Sequence, residues 1–248
     1  MKSIACKNCS SIYNGNFCPN CGQSSHETRI NAHYFLHDIP HSIFHVDGGF
    51  FNTLKMLFSK PGLMIEEFLE GKRIRYFRPF GYVMVMTAVS TFLTKMLEWS
   101  KYQLLQTNTQ IIPVKNYNFF EHYFSIFIFL MIPVASFVTW FFFFNKKYNF
   151  WEHILVNTYI SAQLNIIWIL SYLINFFIVL FTGKVFEMKM SILFIFFMMV
   201  FLYLYGSVFG YLFRKDYKIV FLTILLTVMN FLLFMIYYYG FIWADLIN

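Results

Sequence analysis

The sequence predicts an all-α, polytopic membrane protein of about five transmembrane helices, with an N-terminal four-cysteine zinc-ribbon knuckle and interfacial amphipathic helices between them. Three observations carry that expectation. Of 248 residues, 58% are hydrophobic and 12% charged, whereas about a quarter are charged in soluble domains. Beyond Pro79, long stretches are apolar on every side, unlike a helix on a soluble core, which keeps one polar face. All 4 cysteines lie within residues 6–21 as two CxxC pairs. The chain thus divides into a knuckle over 1–25, a His-rich and amphipathic segment over 26–79, and a helical membrane domain over 80–248.

The knuckle comes first. Cys6-Lys7-Asn8-Cys9 and Cys18-Pro19-Asn20-Cys21 are separated by eight residues. Two such turns aim four thiolates at one point, as tetrahedral Zn²⁺ requires. Gly22 after the second pair lets backbone amides approach the sulfurs, and Asn14-Gly15 suits the intervening turn. Disulfides, the competing reading, are disfavoured in a cytosolic segment; iron is the competing metal. Four sulfur ligands leave no open position, so the expected cofactor is one structural Zn²⁺ per chain. Residues 1–79 carry 9 basic and 6 acidic side chains, and the basic ones do not gather in the knuckle. Counterion release is then weak and nucleic acid is disfavoured as a partner.

His33, His37, His41 and His45 follow at steps of four, with Asp38 among them. On one continuous helix they would share a face, and His with carboxylate at that spacing could ligate a second metal. Pro40 interrupts such a helix. The simpler reading makes Asp38 an N-cap with Pro40 in the first turn, leaving histidines that hold no ligand. His33, His37, Asp38, His41 and His45 are therefore a candidate second metal or polar site, weighed against that plainer alternative.

From Phe50 to Gly71 the apolar spacing predicts two short amphipathic helices parted at Pro61-Gly62 and stopped by Gly71. Too short to span, they are expected to lie along the inner membrane surface. Lys72, Arg73, Arg75 and Arg78 form a basic collar before the first span. It would act as a stop to translocation and as a contact for anionic lipid headgroups.

Spans are expected over 80–97, 123–144, 154–181, 191–213 and 219–243, near the ~20 residues a bilayer needs. With the N-terminus cytosolic, 14 of the 19 Lys and Arg residues fall inside, the asymmetry the positive-inside rule asks for. The first 30 residues hold no apolar core of a signal peptide. No charged residue lies near the middle of a span, which disfavours a proton-coupled pump. The third span lines up Asn157, Ser161, Asn165, Trp168, Tyr172 and Asn175. Helix packing competes there with a polar substrate path, in which Asn157, Ser161, Asn165 and Tyr172 would be the site. Asn118-Phe119-Phe120-Glu121-His122 and Asn149-Phe150-Trp151-Glu152-His153 each precede a span and read as capping boxes.

Several of these features occur together in one family. The knuckle, Leu36-His37-Asp38-Ile39-Pro40-His41, Pro61-Gly62 and Glu70-Gly71-Lys72-Arg73-Ile74-Arg75-Tyr76-Phe77-Arg78-Pro79 resemble DUF3667, a bacterial integral membrane family with an N-terminal zinc ribbon. The resemblance covers about the first third of the chain and implies a multi-pass protein of the cytoplasmic (inner) membrane. It brings no activity with it. Its motif-bearing positions are the four cysteines, His37, Asp38, His41, Pro61, Gly62, Gly71, Lys72, Arg73, Tyr76 and Pro79.

Three functions are compatible with this reading. The favoured one is a non-enzymatic scaffold or interaction protein, with membrane lipids and a cytosolic or membrane protein as partners. The second is a transporter or lipid-handling protein using the polar face of the third span. The third is a membrane-associated metalloenzyme using the histidine cluster.

Overall fold

The computed structural model describes residues 3–27, 29–34, 49–109, 119–143, 147–182, 190–213, 221–229, 232 and 235. Within them the chain opens on a two-stranded antiparallel hairpin, β1 (Ile4–Ala5) and β2 (Ile12–Tyr13), pairing Ile4 with Tyr13 and Ala5 with Ile12. The longer elements that follow are all helical: α1 (Phe50–Ser59), α2 (Pro61–Leu69), α3 (Pro79–Thr109), α4 (Phe119–Phe142), α5 (Phe150–Thr182) and α6 (Met190–Leu212).

Two helices, Pro79–Leu104 and Phe150–Thr182, are long and apolar enough to cross a membrane. The described parts of α4 and α6 add shorter apolar stretches, Ile128–Phe142 and Met198–Leu212. Residues 221–229, 232 and 235 are helical, and the other residues of the fifth expected span lie outside the described residues. The first expected span, 80–97, falls short of its helix, which runs on to Thr109. Lys95, Glu98 and Lys101 end an apolar run, but they are good helix formers and do not end a helix. α5 begins at Phe150, four residues before the expected 154, because Asn149 caps it. The Asn149 side chain accepts from the Glu152 amide at 2.9 Å, and the Glu152 carboxylate accepts from the Asn149 amide at 2.7 Å. This reciprocal pair is the expected capping box.

α2 is bounded by its own sequence. Pro61 occupies its first turn, where a missing N–H costs nothing. Gly71, at φ +101°, ends it as a Schellman motif. The Lys72 amide reaches the Glu67 carbonyl at 2.9 Å and the Gly71 amide the Phe68 carbonyl at 3.1 Å. Its apolar face does not lie against lipid, as the amphipathic pattern suggested. Gly62, Met64, Ile65 and Phe68 are buried, and a Cβ at Gly62 would stand 2.4 Å from the Tyr211 Cβ of α6. The helix is seated on the bundle.

α5 is the hub. From Glu152 to Ile169 nearly every residue is buried, whereas beyond Leu170 most are half-buried or exposed. The buried half is ringed by α2, α3, α4 and α6. Phe68 meets Tyr159 at 5.8 Å, and Tyr82 meets it at 6.0 Å. Tyr159 donates to the Phe77 carbonyl at 2.6 Å. Tyr205 of α6 donates to Asn157 at 2.7 Å. These pairings set Pro79, the start of α3, level with Tyr159. At 1.5 Å per residue, α5 therefore begins roughly 13 Å beyond the start of α3. That projecting part carries the polar side chains from Glu152 to Thr158.

Candidate metal centre and its seat on the helices

The knuckle is built from two copies of one local turn. The Ser10 amide donates to the Cys6 carbonyl and the Cys6 amide to the Ser11 carbonyl, both at 2.9 Å. In the second half the Gly22 amide donates to the Cys18 carbonyl at 2.8 Å and the Cys18 amide to the Gln23 carbonyl at 2.9 Å. Each turn needs a left-handed residue directly after its second cysteine. These are Ser10 at φ 61° and Gly22 at φ 76°. Gly22 was legible from the sequence; Ser10, its counterpart, was not, because serine carries no such signal.

The four sulfurs converge. Cys6 and Cys21 lie 3.5 Å apart, as do Cys9 and Cys18, and all four ligand atoms fall within 4.8 Å of one another. Tetrahedral zinc with Zn–S bonds near 2.3 Å requires sulfurs about 3.8 Å apart, a separation these distances bracket. Disulfide bonding would require about 2.05 Å, and all four cysteines are free. The residues therefore fit a closed four-thiolate site. Metal binding requires thiolates. The hydroxyl and amide of Ser11 pull the Cys9 thiol down to about 6, whereas burial pushes the Cys18 thiol up to about 11.

The knuckle is fastened to the helices at two places. Gln23, 3% exposed, donates through Nε2 to the Gly71 carbonyl at 2.6 Å and accepts from the Arg73 amide at 3.2 Å. The turn that holds two cysteines thus reads the backbone of the helix stop. Lys7 lies across the same glycine, where a Cβ would meet its Cδ at 2.8 Å, and its Nζ donates to the Glu27 carbonyl at 2.8 Å. The second fastening is Arg29. Its guanidinium grips Glu152 through two parallel bonds of 2.9 and 2.8 Å and also donates to the Lys147 carbonyl. Glu152 is almost wholly buried, with 4% of its side chain exposed. Beside it, Asn149 donates to the Ile30 carbonyl at 3.0 Å.

The basic collar divides on inspection. Arg73 is 9% exposed and turned inward. It pairs with Glu27, donates to the Phe68 carbonyl at 3.3 Å and stacks over Tyr34 at 4.9 Å. Its side chain is placed as a link in the knuckle's seat, not toward a lipid surface. Lys72 is half-buried and pairs with Glu67 at 3.4 Å. Arg75 and Arg78 are exposed. Tyr76 hydrogen-bonds Glu67, and that bond with the Lys72 charge holds the Glu67 carboxyl below the usual carboxylate range.

Of the histidine cluster, His33 is exposed, just after the Asn31 that caps the Tyr34 amide at 2.9 Å. His37, Asp38, His41 and His45 lie outside the described residues. Among the described residues the four cysteines are the one grouping able to hold a metal.

The polar face of α5 is closed by its neighbours. Asn157 donates to Thr139 and the His153 carbonyl, both at 2.9 Å, and accepts from Tyr205. Asn165 reaches Thr87 at 3.5 Å and the Ser161 carbonyl at 3.4 Å. Ser161 is 7% exposed and Tyr172 is half-buried against Trp168 at 5.4 Å. The bonds to Thr139, Tyr205 and Thr87 cross to neighbouring helices, the others run within α5, and Asn165 Oδ1 is buried without a hydrogen-bond partner. Gln23, Glu27 and Arg29 are seat positions that the motifs did not reveal, and Glu152, legible only as a capping residue, also serves as the partner of Arg29. Each is an ordinary polar residue whose partner stands far away in sequence.

Residues 47–91 match a family model described as a protein of unknown function (DUF3667). The match supports the family assignment suggested by the motifs around Pro61-Gly62 and Gly71–Pro79. It spans α1, α2, the linker after them and the first turns of α3, the part of the chain on which the knuckle is seated. No curated protein and no solved structure matches the chain.

Proposed function

We propose, from that family match as premise, that the protein is a non-enzymatic, multi-pass membrane scaffold whose inner face is stapled by a structural zinc knuckle. The carrying observation is the double fastening of the four-cysteine turn to the family-matched segment at Gly71 and Arg73 and to α5 at Glu152. A metal that closes the knuckle then fixes the arrangement of α1, α2 and the projecting part of α5. Such a site can hold a shape but has no open coordination position for chemistry. In this reading five spans cross the inner membrane, the N-terminus is cytosolic, and the knuckle side presents the surface to a protein partner. Asn157, with donor and acceptor both occupied, supports packing over a transport path along the third span.

Elemental analysis of the purified full chain tests it. One zinc per chain is expected, lost in Cys6→Ser and retained in His37→Ala and His41→Ala. A chain without zinc overturns the stapled scaffold. A second equivalent lost with the histidines restores the metalloenzyme reading.

A further inference from the structure

We infer that the outer stripe of α1, with the adjoining Ile74-Arg75, is an in-plane anchor for an anionic phospholipid headgroup layer, an inference that rests on the membrane reading above. Phe51, Asn52, Lys55 and Phe58 recur at helical spacing on the outer side, whereas Thr53 and Leu57 face inward at 0% and 1%. Phe51 is 77% exposed and Phe58 49%. Large rings left uncovered on a ten-residue helix are costly in water and at home in the headgroup boundary.

The helix lies across the bundle. At one end Phe50 packs on Tyr82, in the first turn of α3, at 5.4 Å. At the other the Phe58 carbonyl accepts from Tyr203 of α6 at 2.5 Å. Tyr82 lies beside Tyr159 of α5, and Tyr205 of α6 bonds Asn157, so both ends of α1 sit at one level of the bundle, that of the start of α3. A ten-residue helix spans about 15 Å, enough to reach from one helix to the other. The two helices that its ends touch expose Met84 of α3 and Met199 and Tyr203 of α6, side chains that face acyl chains in this reading.

Charge selects the lipid. α1 contains no acidic residue, and Lys55, Lys60 and Arg75 lie along this edge, Arg75 exposed. The Asn52 amide holds the Arg75 carbonyl at 2.9 Å, fixing Ile74, 51% exposed, and Arg75 beside the stripe. Apolar rings flanked by cations, with no acid on α1 itself and the Glu67 carboxylate near Arg75 already engaged by Tyr76 and Lys72, complement a negatively charged headgroup layer.

The test places p-benzoylphenylalanine at Phe51, at Phe58 and, as a mid-span reference, at Phe92. Each full-length variant is irradiated in nanodiscs of mixed phosphatidylglycerol and phosphatidylcholine, and lipid adducts are weighed. Adducts at 51 and 58 should favour phosphatidylglycerol about fivefold over the bulk ratio, while Phe92 reports the bulk ratio. Lys55→Gln with Arg75→Gln should return position 51 to bulk. Protein adducts in place of lipid at 51 and 58, or a bulk ratio there, overturn the inference. Zinc content, read on each variant, separates the two proposals. A chain that loses zinc fails the scaffold reading. One that keeps zinc but shows no anionic preference fails this one.

Discussion

Ser10 and Gly22 occupy equivalent places after the two CxxC pairs, yet only glycine takes φ near +60° without steric cost. For other residues that region costs about 1–2 kcal/mol. Ser10→Gly is therefore expected to hold zinc at least as well as the native chain. Ser10→Val, with a β-branched side chain at φ 61°, should lose zinc to a chelator on the order of tenfold more readily. Competition titration against a chromogenic chelator measures both. Glu67 gives a pH-dependent counterpart. Its folded pKa is depressed by the Tyr76 hydroxyl and the Lys72 charge. Its contribution is thus present above the unfolded value of about 4.3 and is lost as pH falls through the lower folded value. Thermal scans between about pH 6 and pH 3 should show Glu67→Gln flatter than the native chain; parallel curves would refute this.

At the scale of elements, two glycines decide how α2 sits. Gly62 admits the backbone of α6 so closely that an added Cβ would stand 2.6 Å from the Ser207 carbonyl. Gly62→Ala should cost about 1–3 kcal/mol through overpacking, seen as a lowered unfolding midpoint with zinc content unchanged. Gly71 combines a left-handed backbone with contact to Lys7 and an accepted bond from Gln23. Gly71→Ala strikes the helix stop and the knuckle seat together. Limited proteolysis should then cut between residues 23 and 29 faster than in Gly62→Ala. Spacing in the sequence foretold α1, α2 and their stops closely, because caps and amphipathic stripes are local. It could not tell which face meets lipid and which meets protein. An apolar stripe suits either solvent, and only the position of α6 assigns α2 to the interior.

Across the whole molecule, the knuckle and the long apolar helix α5 are joined by Arg29 and Glu152, 123 residues apart. Removing Arg29 leaves a carboxylate buried without its cation. Arg29→Gln should destabilise by about 1–3 kcal/mol, the range discounted because the arginine side chain is 62% exposed. A double-mutant cycle with Glu152→Gln should return a coupling of at least ~0.5 kcal/mol. The same link predicts that chelation loosens regions outside the knuckle. Amide exchange around residues 147–153 should rise when zinc is withdrawn; exchange confined to residues 3–25 would count against the staple.

The sequence by itself determined the four-cysteine centre, the apolar helices, the capping box at Asn149 and Glu152, and the stops at Pro61 and Gly71. Each is a contact between residues a few positions apart, and thiol spacing, helical period and backbone preference record it directly. Only the tertiary structure turned Arg73 inward, closed the polar face of α5 with Thr139, Tyr205 and Thr87, and seated Gln23 on Gly71. Those pairings join common residues across long stretches of chain. No periodicity marks them, and they exist because packing brings the groups together and burial makes an unpaired polar group costly.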